Sequence, residues 1–244
     1  MPISVLTTED FKPGGLDKAK RIFEAKTVLT SEKFDELSRA QRAIAFRVWQ
    51  VNEAKLIQAA RAKIRRVLDG KMTFRELRND LAKLLDLKDF SPGTLQRIRI
   101  LYQQNALQAY SLARRAVMEE PQVAEAFPFW RYMTVGDGTP GKFGVRKSHA
   151  DQHGKVYKYD DPIWQTVYPP WGWGCRCFVI PMTAAMVKRL GLKVESSTGL
   201  LGVEPERSIR SPSVIMDRDE LDVSRLDPDL RAGLERLQRE LKAP

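Results

Sequence analysis

Both histidines and both cysteines of this chain fall within residues 149–177, as His149, His153, Cys175 and Cys177. A His-x-x-x-His spacing puts two imidazoles on one face of a helix, and Cys-x-Cys puts two thiols on the same side of an extended strand. Four nitrogen and sulfur ligands would suit a tetrahedral zinc ion. Two details run the other way: zinc-binding cysteine pairs usually have two or more residues between them, and Gly154 directly after His153 discourages a continuing helix. The same residues also fit a metal-free reading, with the cysteines as small buried apolar groups and the histidines bonded to backbone. On either reading the segment around His149 comes to lie beside Cys175 and Cys177.

Other chemistry is less well supplied. Ser148-His149-Ala150-Asp151 has the residue types of a triad, but neighbouring side chains diverge and a triad is assembled from distant segments. Asp160-Asp161-Pro162 offers carboxylates for a divalent ion, yet paired acids before proline usually make a turn or a helix cap. The sequence contains no phosphate-cradling loop, dinucleotide fingerprint or HExxH helix. The run Trp164…Tyr168-Pro169-Pro170-Trp171-Gly172-Trp173-Gly174 is aromatic enough to stack bases or grip a proline-rich ligand, but bulky rings on prolines between glycines more often form the core of a small unit.

The elements around these residues divide into three regions, giving an α+β fold: an N-terminal helical region over 1–126, a small irregular β-rich unit over 127–195, and a linker with a C-terminal helix over 196–244. Apolar spacing predicts helices over Thr30–Val51 and Glu53–Leu68, with Gly70 closing the second. Thr73 and Glu76 form a capping box for Phe74–Leu85. Ser91-Pro92 starts a long helix to about Met118, after which Pro121 and Pro128 end the helical region. Glycines and prolines then crowd residues 129–181, leaving short strands at Trp130–Val135, Lys155–Tyr159 and Arg176–Ile180, and a short helix over Thr183–Leu190. Residues 196–226 read as linker, and Asp227-Pro228 caps an amphipathic helix to about Leu241, with Leu230, Leu234, Leu237 and Leu241 inward.

Across its 244 residues the chain carries 41 Lys and Arg against 31 Asp and Glu, a net charge of +10 that suits an anionic partner. The excess lies in the first two regions, while the tail is slightly acidic. Two cysteines are too few for a disulfide framework, and bridging across one residue is strained, so a reducing compartment is expected. No stretch approaches 18 uncharged apolar residues, and Met1-Pro2-Ile3-Ser4 lacks the layout of a signal peptide, so neither membrane insertion nor secretion is expected.

Read in order, Arg146 and His149, then Gly154, then Asp161-Pro162-x-Trp164, then Pro169-Pro170-Trp171-Gly172-Trp173-Gly174-Cys175-Arg176-Cys177 make a specific combination. It closely resembles the phage Mu F-type head morphogenesis family, the minor head proteins of tailed phages and prophages. Upstream, Phe11-Lys12-Pro13, Phe23-x-x-Lys26, Phe34-Asp35-Glu36-Leu37, Ala45-Phe46, Gly70 with Thr73-Phe74-Arg75, and Asn105-Ala106-x-x-Ala109-Tyr110 extend the likeness over about residues 11–182. Trp171 departs from the pattern, standing where a polar residue such as Asn is expected, and so points to a more hydrophobic turn and a larger protein contact.

The resemblance implies a virion component in few copies, at the portal vertex or the head interior, needed for head assembly and not an enzyme. Its partners would be the portal protein or the inner capsid shell, and its location the virion, or the host cytoplasm during assembly. The roughly 60 residues beyond the motif are short for a fused enzymatic domain. Basic helix faces, notably Lys55, Lys63, Arg65 and Arg66, are candidates for non-specific contact with packaged DNA. The alternative reading is a metal-dependent DNA-processing enzyme with His149 as base or ligand and Asp160 or Asp161 holding the ion.

Overall fold

A computed structural model describes residues 14–35, 45–47, 54–85, 92–141, 144–172, 174–197 and 228–242. The first helix, α1 (Gly14–Ala25), has an acidic first turn at Asp17 and buries Ala19, Ile22 and Phe23 at helical spacing. The sequence reading did not assign it. It is followed by β1 (Thr27–Val28) and α2 (Ser31–Asp35). The helix expected over Thr30–Val51 is not continuous: Ala45–Phe46 form a short strand, β2, paired in parallel with β1. Phe46 is fully buried with its ring edge-on to Phe23 at 5.7 Å, and its carbonyl accepts the Leu29 N–H. Apolar residues from a short helix and a short strand can mimic one 3.6-residue stripe, and this burial breaks the tie. Leu37, Ile44 and Val48, which with Phe34 and Ala45 make up the apolar stripe behind that expected helix, lie outside the described residues.

Next, α3 (Ala54–Leu68) turns Ile57, Ala60, Ile64 and Leu68 inward, and α4 (Phe74–Leu84) opens on the expected capping box. Glu76 accepts the Thr73 N–H at 2.7 Å while Thr73 Oγ1 accepts the Glu76 N–H at 3.2 Å. The Thr73 N–H and hydroxyl, both donating to it, hold the Glu76 carboxyl below its usual range. The long α5 (Pro92–Met118) runs for 27 residues. Pro121 does not end the helical region; it sits at the start of another helix, α6 (Pro121–Ala126), where its missing N–H costs nothing.

Three strands follow. β3 (Phe129–Met133) is central, between β4 (Val156–Lys158) and β5 (Phe178–Met182), antiparallel to both. Trp130 faces Tyr157 and Pro181 across the sheet, and Arg131 faces Val156 and Ile180. Each strand begins or ends one or two residues from its expected bounds. Three short helices pack among them: α7 (Lys147–Ala150), α8 (Ile163–Val167) and α9 (Ala184–Arg189), the last capped by Thr183. Most of the segment read as linker, residues 198–226, lies outside the described residues. The last helix, α10 (Pro228–Lys242), buries the four expected leucines. The fold class is α+β, as expected.

Two hydrophobic clusters dominate. The larger combines Ile22, Phe23, Phe46, Ile57, Ile64, Leu77, Leu81 and Leu112 with Leu230, Leu234 and Leu237, so α10 is seated on the N-terminal helices. The smaller is aromatic: Trp130, Tyr132, Tyr157, Trp164, Tyr168 and Trp171, with Met118 from the end of α5.

Within the larger cluster Lys26 is buried with no carboxylate at its ammonium among the described residues; the ammonium donates to Asn105 Oδ1 at 3.3 Å and to Gln108 Oε1. Burial, with Arg61 nearby, pushes its pKa down to about 7. The unfolded chain therefore holds a proton that the folded protein has released between about pH 7 and the ordinary lysine value of 10.5. Stability should rise with pH across that window, by up to about 1.4 kcal/mol per pH unit. Lys26→Met should flatten this rise relative to the parent protein, measured by urea unfolding at several pH values.

A second expectation concerns Gly233, where an added Cβ would lie 1.9 Å from Thr27 Oγ1 and 3.2 Å from Thr27 Cβ. Gly233→Ala should destabilise by about 1–3 kcal/mol despite the better helix propensity of alanine, because α10 must lift from β1. Adding Thr27→Ala should recover part of the loss in the same urea assay.

Candidate metal centre in an aromatic knot

The site is built from two short segments brought against β3. Arg146 leads into α7, which places His149 in the interior, and the segment after Gly174 carries Cys175 and Cys177 into β5. His149 and Cys175 are buried, and Cys177 is half-buried. His149 Nδ1 lies 3.6 Å from Cys175 Sγ, 3.5 Å from Cys177 Sγ and 3.4 Å from the Tyr132 hydroxyl. On the other side of the ring, Arg146 Nε and Nη2 approach Nε2 at 3.3 and 3.2 Å. A guanidinium can only donate, so Nε2 accepts and the ring proton of a neutral His149 sits on Nδ1, aimed at the sulfurs.

Trp171 covers this imidazole, stacked at 4.0 Å with 13° between planes, and its Nε1–H donates to the Tyr132 hydroxyl at 2.8 Å. Burial pushes the Cys175 thiol up, whereas the Cys177 thiol is pulled down, chiefly by its bond with Cys175 and further by Tyr132 and the charges of Arg146 and Arg176. Tyr132 is pushed well above the usual phenol range by burial and by the two cysteines. A small pocket lined by Val135, Gly144, Arg146, Gly174, Arg176 and Cys177 gives solvent an approach.

Of the four ligands considered from sequence, the structure gathers three: among the described residues His149, Cys175 and Cys177 offer ligand atoms within 4.8 Å of one another. His153 is not with them. Its Nδ1 lies 2.6 Å from Thr134 Oγ1 and 3.2 Å from the Thr134 N–H, and Gly138 packs over its ring, where a Cβ would come within 2.5 Å of Cγ. Gly154, at φ +79°, turns the chain out of the His-x-x-x-His segment.

These residues lie inside the segment 58–180 that matches the family model described as "Phage Mu protein F like protein". The chain belongs to the phage Mu protein F-like family. Among curated relatives, it is 41% identical over 112 residues to "Mu-like prophage FluMu F protein" of Haemophilus influenzae, covering 46% of this chain and 25% of that one. It is 32% identical over 194 residues to "Putative capsid assembly protein F" of Escherichia phage Mu, covering 72% of this chain and 42% of that one. The chain thus spans a quarter to about two fifths of the length of these Mu F relatives. No solved structure matches.

In this Mu F-like chain the other motif residues serve the fold. Asp161 accepts the Ile163 N–H at 2.9 Å and the Ser197 N–H at 3.2 Å, fixing the entry to α8 after Pro162. Among the described residues the cluster of three candidate ligands, His149, Cys175 and Cys177, includes neither Asp161 nor the exposed Asp160. Trp164 Nε1–H donates to Lys158 O at 2.8 Å. Pro169 O accepts from Ser111 Oγ, Pro170 and Gly172 are buried, and Arg176 is exposed beside the cluster. Trp171 is fully buried and does not extend an outer protein contact as the sequence suggested, because its ring is spent on His149. Trp173 lies outside the described residues. On α3, Lys63 pairs with Asp80 at 2.6 Å and Arg65 with Glu24 and Asp69 at 2.5 and 2.8 Å, while Lys55 and Arg66 are exposed.

Two residues of the site were not singled out from sequence. Tyr132 alternates with Trp130 on β3, so their shared inward face was available from strand periodicity. Arg115 is a buried cation on a face of α5 that also carries Gln104, Gln108 and Ser111, and nothing in its local sequence marks it. Its Nη1 donates to Trp164 O at 3.3 Å, its Nε to Glu119 at 2.7 Å, and its guanidinium lies 4.9 Å from the Tyr168 ring centre. Arg115→Ala should destabilise the protein by about 2–4 kcal/mol, through an unpaired buried carbonyl and lost packing. Near-ultraviolet circular dichroism should report the loss in the tryptophans.

Proposed function

We propose that this chain is a structural component of phage head assembly that docks to the portal vertex or inner capsid shell and resides in the virion. The supporting observation is family membership combined with the fate of the motif residues. His149, Trp164, Tyr168 and Trp171 are buried, and the last three donate to Lys158 O, Ser111 O and the Tyr132 hydroxyl, as a rigid docking module requires. The relative from phage Mu carries capsid assembly in its name, and the present reading extends that role to this chain. No helix among the described residues is long and apolar enough to cross a membrane.

Contact with packaged DNA, where it occurs, is electrostatic and independent of sequence. With Lys63 and Arg65 engaged in internal pairs, the exposed Lys55 and Arg66 are the better-placed contacts on α3. Replacing both with Glu should leave the fold intact, lower affinity for DNA and reduce the salt slope by about two phosphate contacts.

Deleting the gene from its phage or prophage should abolish or sharply reduce infectious heads, and complementation should restore them. The purified chain should also co-sediment with portal or proheads. Normal infectious heads in its absence would overturn the reading, as would divalent-dependent DNA cleavage lost in His149→Ala.

A further inference from the structure

We infer that His149, Cys175 and Cys177 form a three-ligand site for a thiolate-preferring divalent ion of the zinc class, with the fourth position facing Tyr132. The distances carry this. With Zn–N near 2.0–2.1 Å and Zn–S near 2.3 Å, a tetrahedral ion sets its nitrogen and sulfur ligands about 3.5–3.6 Å apart. His149 Nδ1 lies 3.5 and 3.6 Å from the two sulfurs, the separation that both nitrogen–sulfur edges of such a site require, and all three ligand atoms lie within 4.8 Å of one another. The Tyr132 hydroxyl, 3.4 Å from the same nitrogen, marks the remaining side.

The donor set selects the ion. Two sulfurs and an imidazole nitrogen repel no soft or borderline cation and offer nothing to magnesium or calcium, which require oxygen. His153, although four residues on from His149 and so at a helical partner position, is held by Thr134 and Gly138 and takes no part. The one-residue spacing of the cysteines is shorter than in most zinc sites, yet both thiols lie within 3.6 Å of the same imidazole nitrogen.

Arg146 makes the site distinctive. As it stands, the guanidinium donates to Nε2 and fixes the ring proton on Nδ1, the ligand atom. Metal at Nδ1 moves that proton to Nε2, which then becomes a donor, and Arg146 must turn away. Arg146 therefore opposes loading, and metal binding displaces it towards the pocket it lines. The need for such an ion is physical as well: a unit with a three-stranded sheet and only short helices gains from a cross-link between α7 and the segment before β5. This inference stands apart from the assembly role, and its assays involve no other head component.

The test uses the whole chain purified under reducing conditions without chelator. Elemental analysis should find about one zinc per chain, and Co²⁺ added to the chelated protein should give thiolate-to-cobalt charge-transfer absorption. Both thiols should be protected from a chromogenic disulfide reagent by metal and released by chelator. His149→Ala and Cys177→Ser should lose the cobalt signal, His153→Ala should keep it, and Arg146→Gln should bind metal more tightly than the parent. Less than about 0.1 metal per chain together with no cobalt–thiolate absorption in the parent protein would overturn the inference, whether or not the variants fold. So would full loss of metal in a folded His153→Ala.

Discussion

One helix has to satisfy two cores at once, and the remainder of the molecule is arranged around that demand. Over its 27 residues α5 places Ala106, Ala109 and Leu112 among the N-terminal helices and Met118 among the aromatic residues. At about 1.5 Å per residue it is roughly 40 Å long, enough to reach across both. Where its faces change allegiance, polar groups make the join: Ser111 exchanges bonds with Pro169 and Tyr168, Gln104 Oε1 takes the Gly174 N–H at 3.2 Å, and Arg115 reaches Trp164 O. Each of these ties a loop of the aromatic unit to a fixed point on a rigid rod, so the loops need few regular elements of their own.

The aromatic unit is organised about an imidazole and not about a sheet. His149 touches Trp171 by its face, Arg146 by one nitrogen, and the sulfurs and Tyr132 by the other. Tyr132 in turn receives the Trp171 N–H, closing a ring of contacts around the imidazole. A buried polar network of that kind specifies one arrangement, because losing any member strands the others in a low-dielectric interior.

How much of this was legible in the sequence depends on the range of the signal. The capping box at Thr73 and Glu76, the proline start of α5 and the leucine stripe of α10 are local and were read correctly. Likewise the juxtaposition of His149 with Cys175 and Cys177 followed from the clustering of rare residue types. The helix expected over Thr30–Val51 merged Phe34 of α2 and Ala45 of β2 because two short elements shared one apolar period, and α1 carries no helix signal beyond Asp17 in its first turn and Ala19, Ile22 and Phe23 repeating at three and four. His153 looked equivalent to His149 in spacing, yet the close approach of Gly138 determines its role, and that approach is set by tertiary folding. Arg115 and Tyr132 are defined by partners some 15–50 residues away, which no local window contains.

The seating of α10 on α1 has a consequence for how the protein is made. Thr27 and Gly233 meet although more than 200 residues separate them, and Arg21 pairs with Glu240 at 2.8 Å across a still longer separation. During synthesis the N-terminal helices emerge long before the strip that covers them, while the aromatic unit has all of its sheet by residue 182. The unit translated second can therefore mature first, and the groove awaiting Leu230, Leu234 and Leu237 stays uncovered in the interval. Such long-range closure slows folding and leaves apolar surface open to chaperones, or to the last helix of another copy.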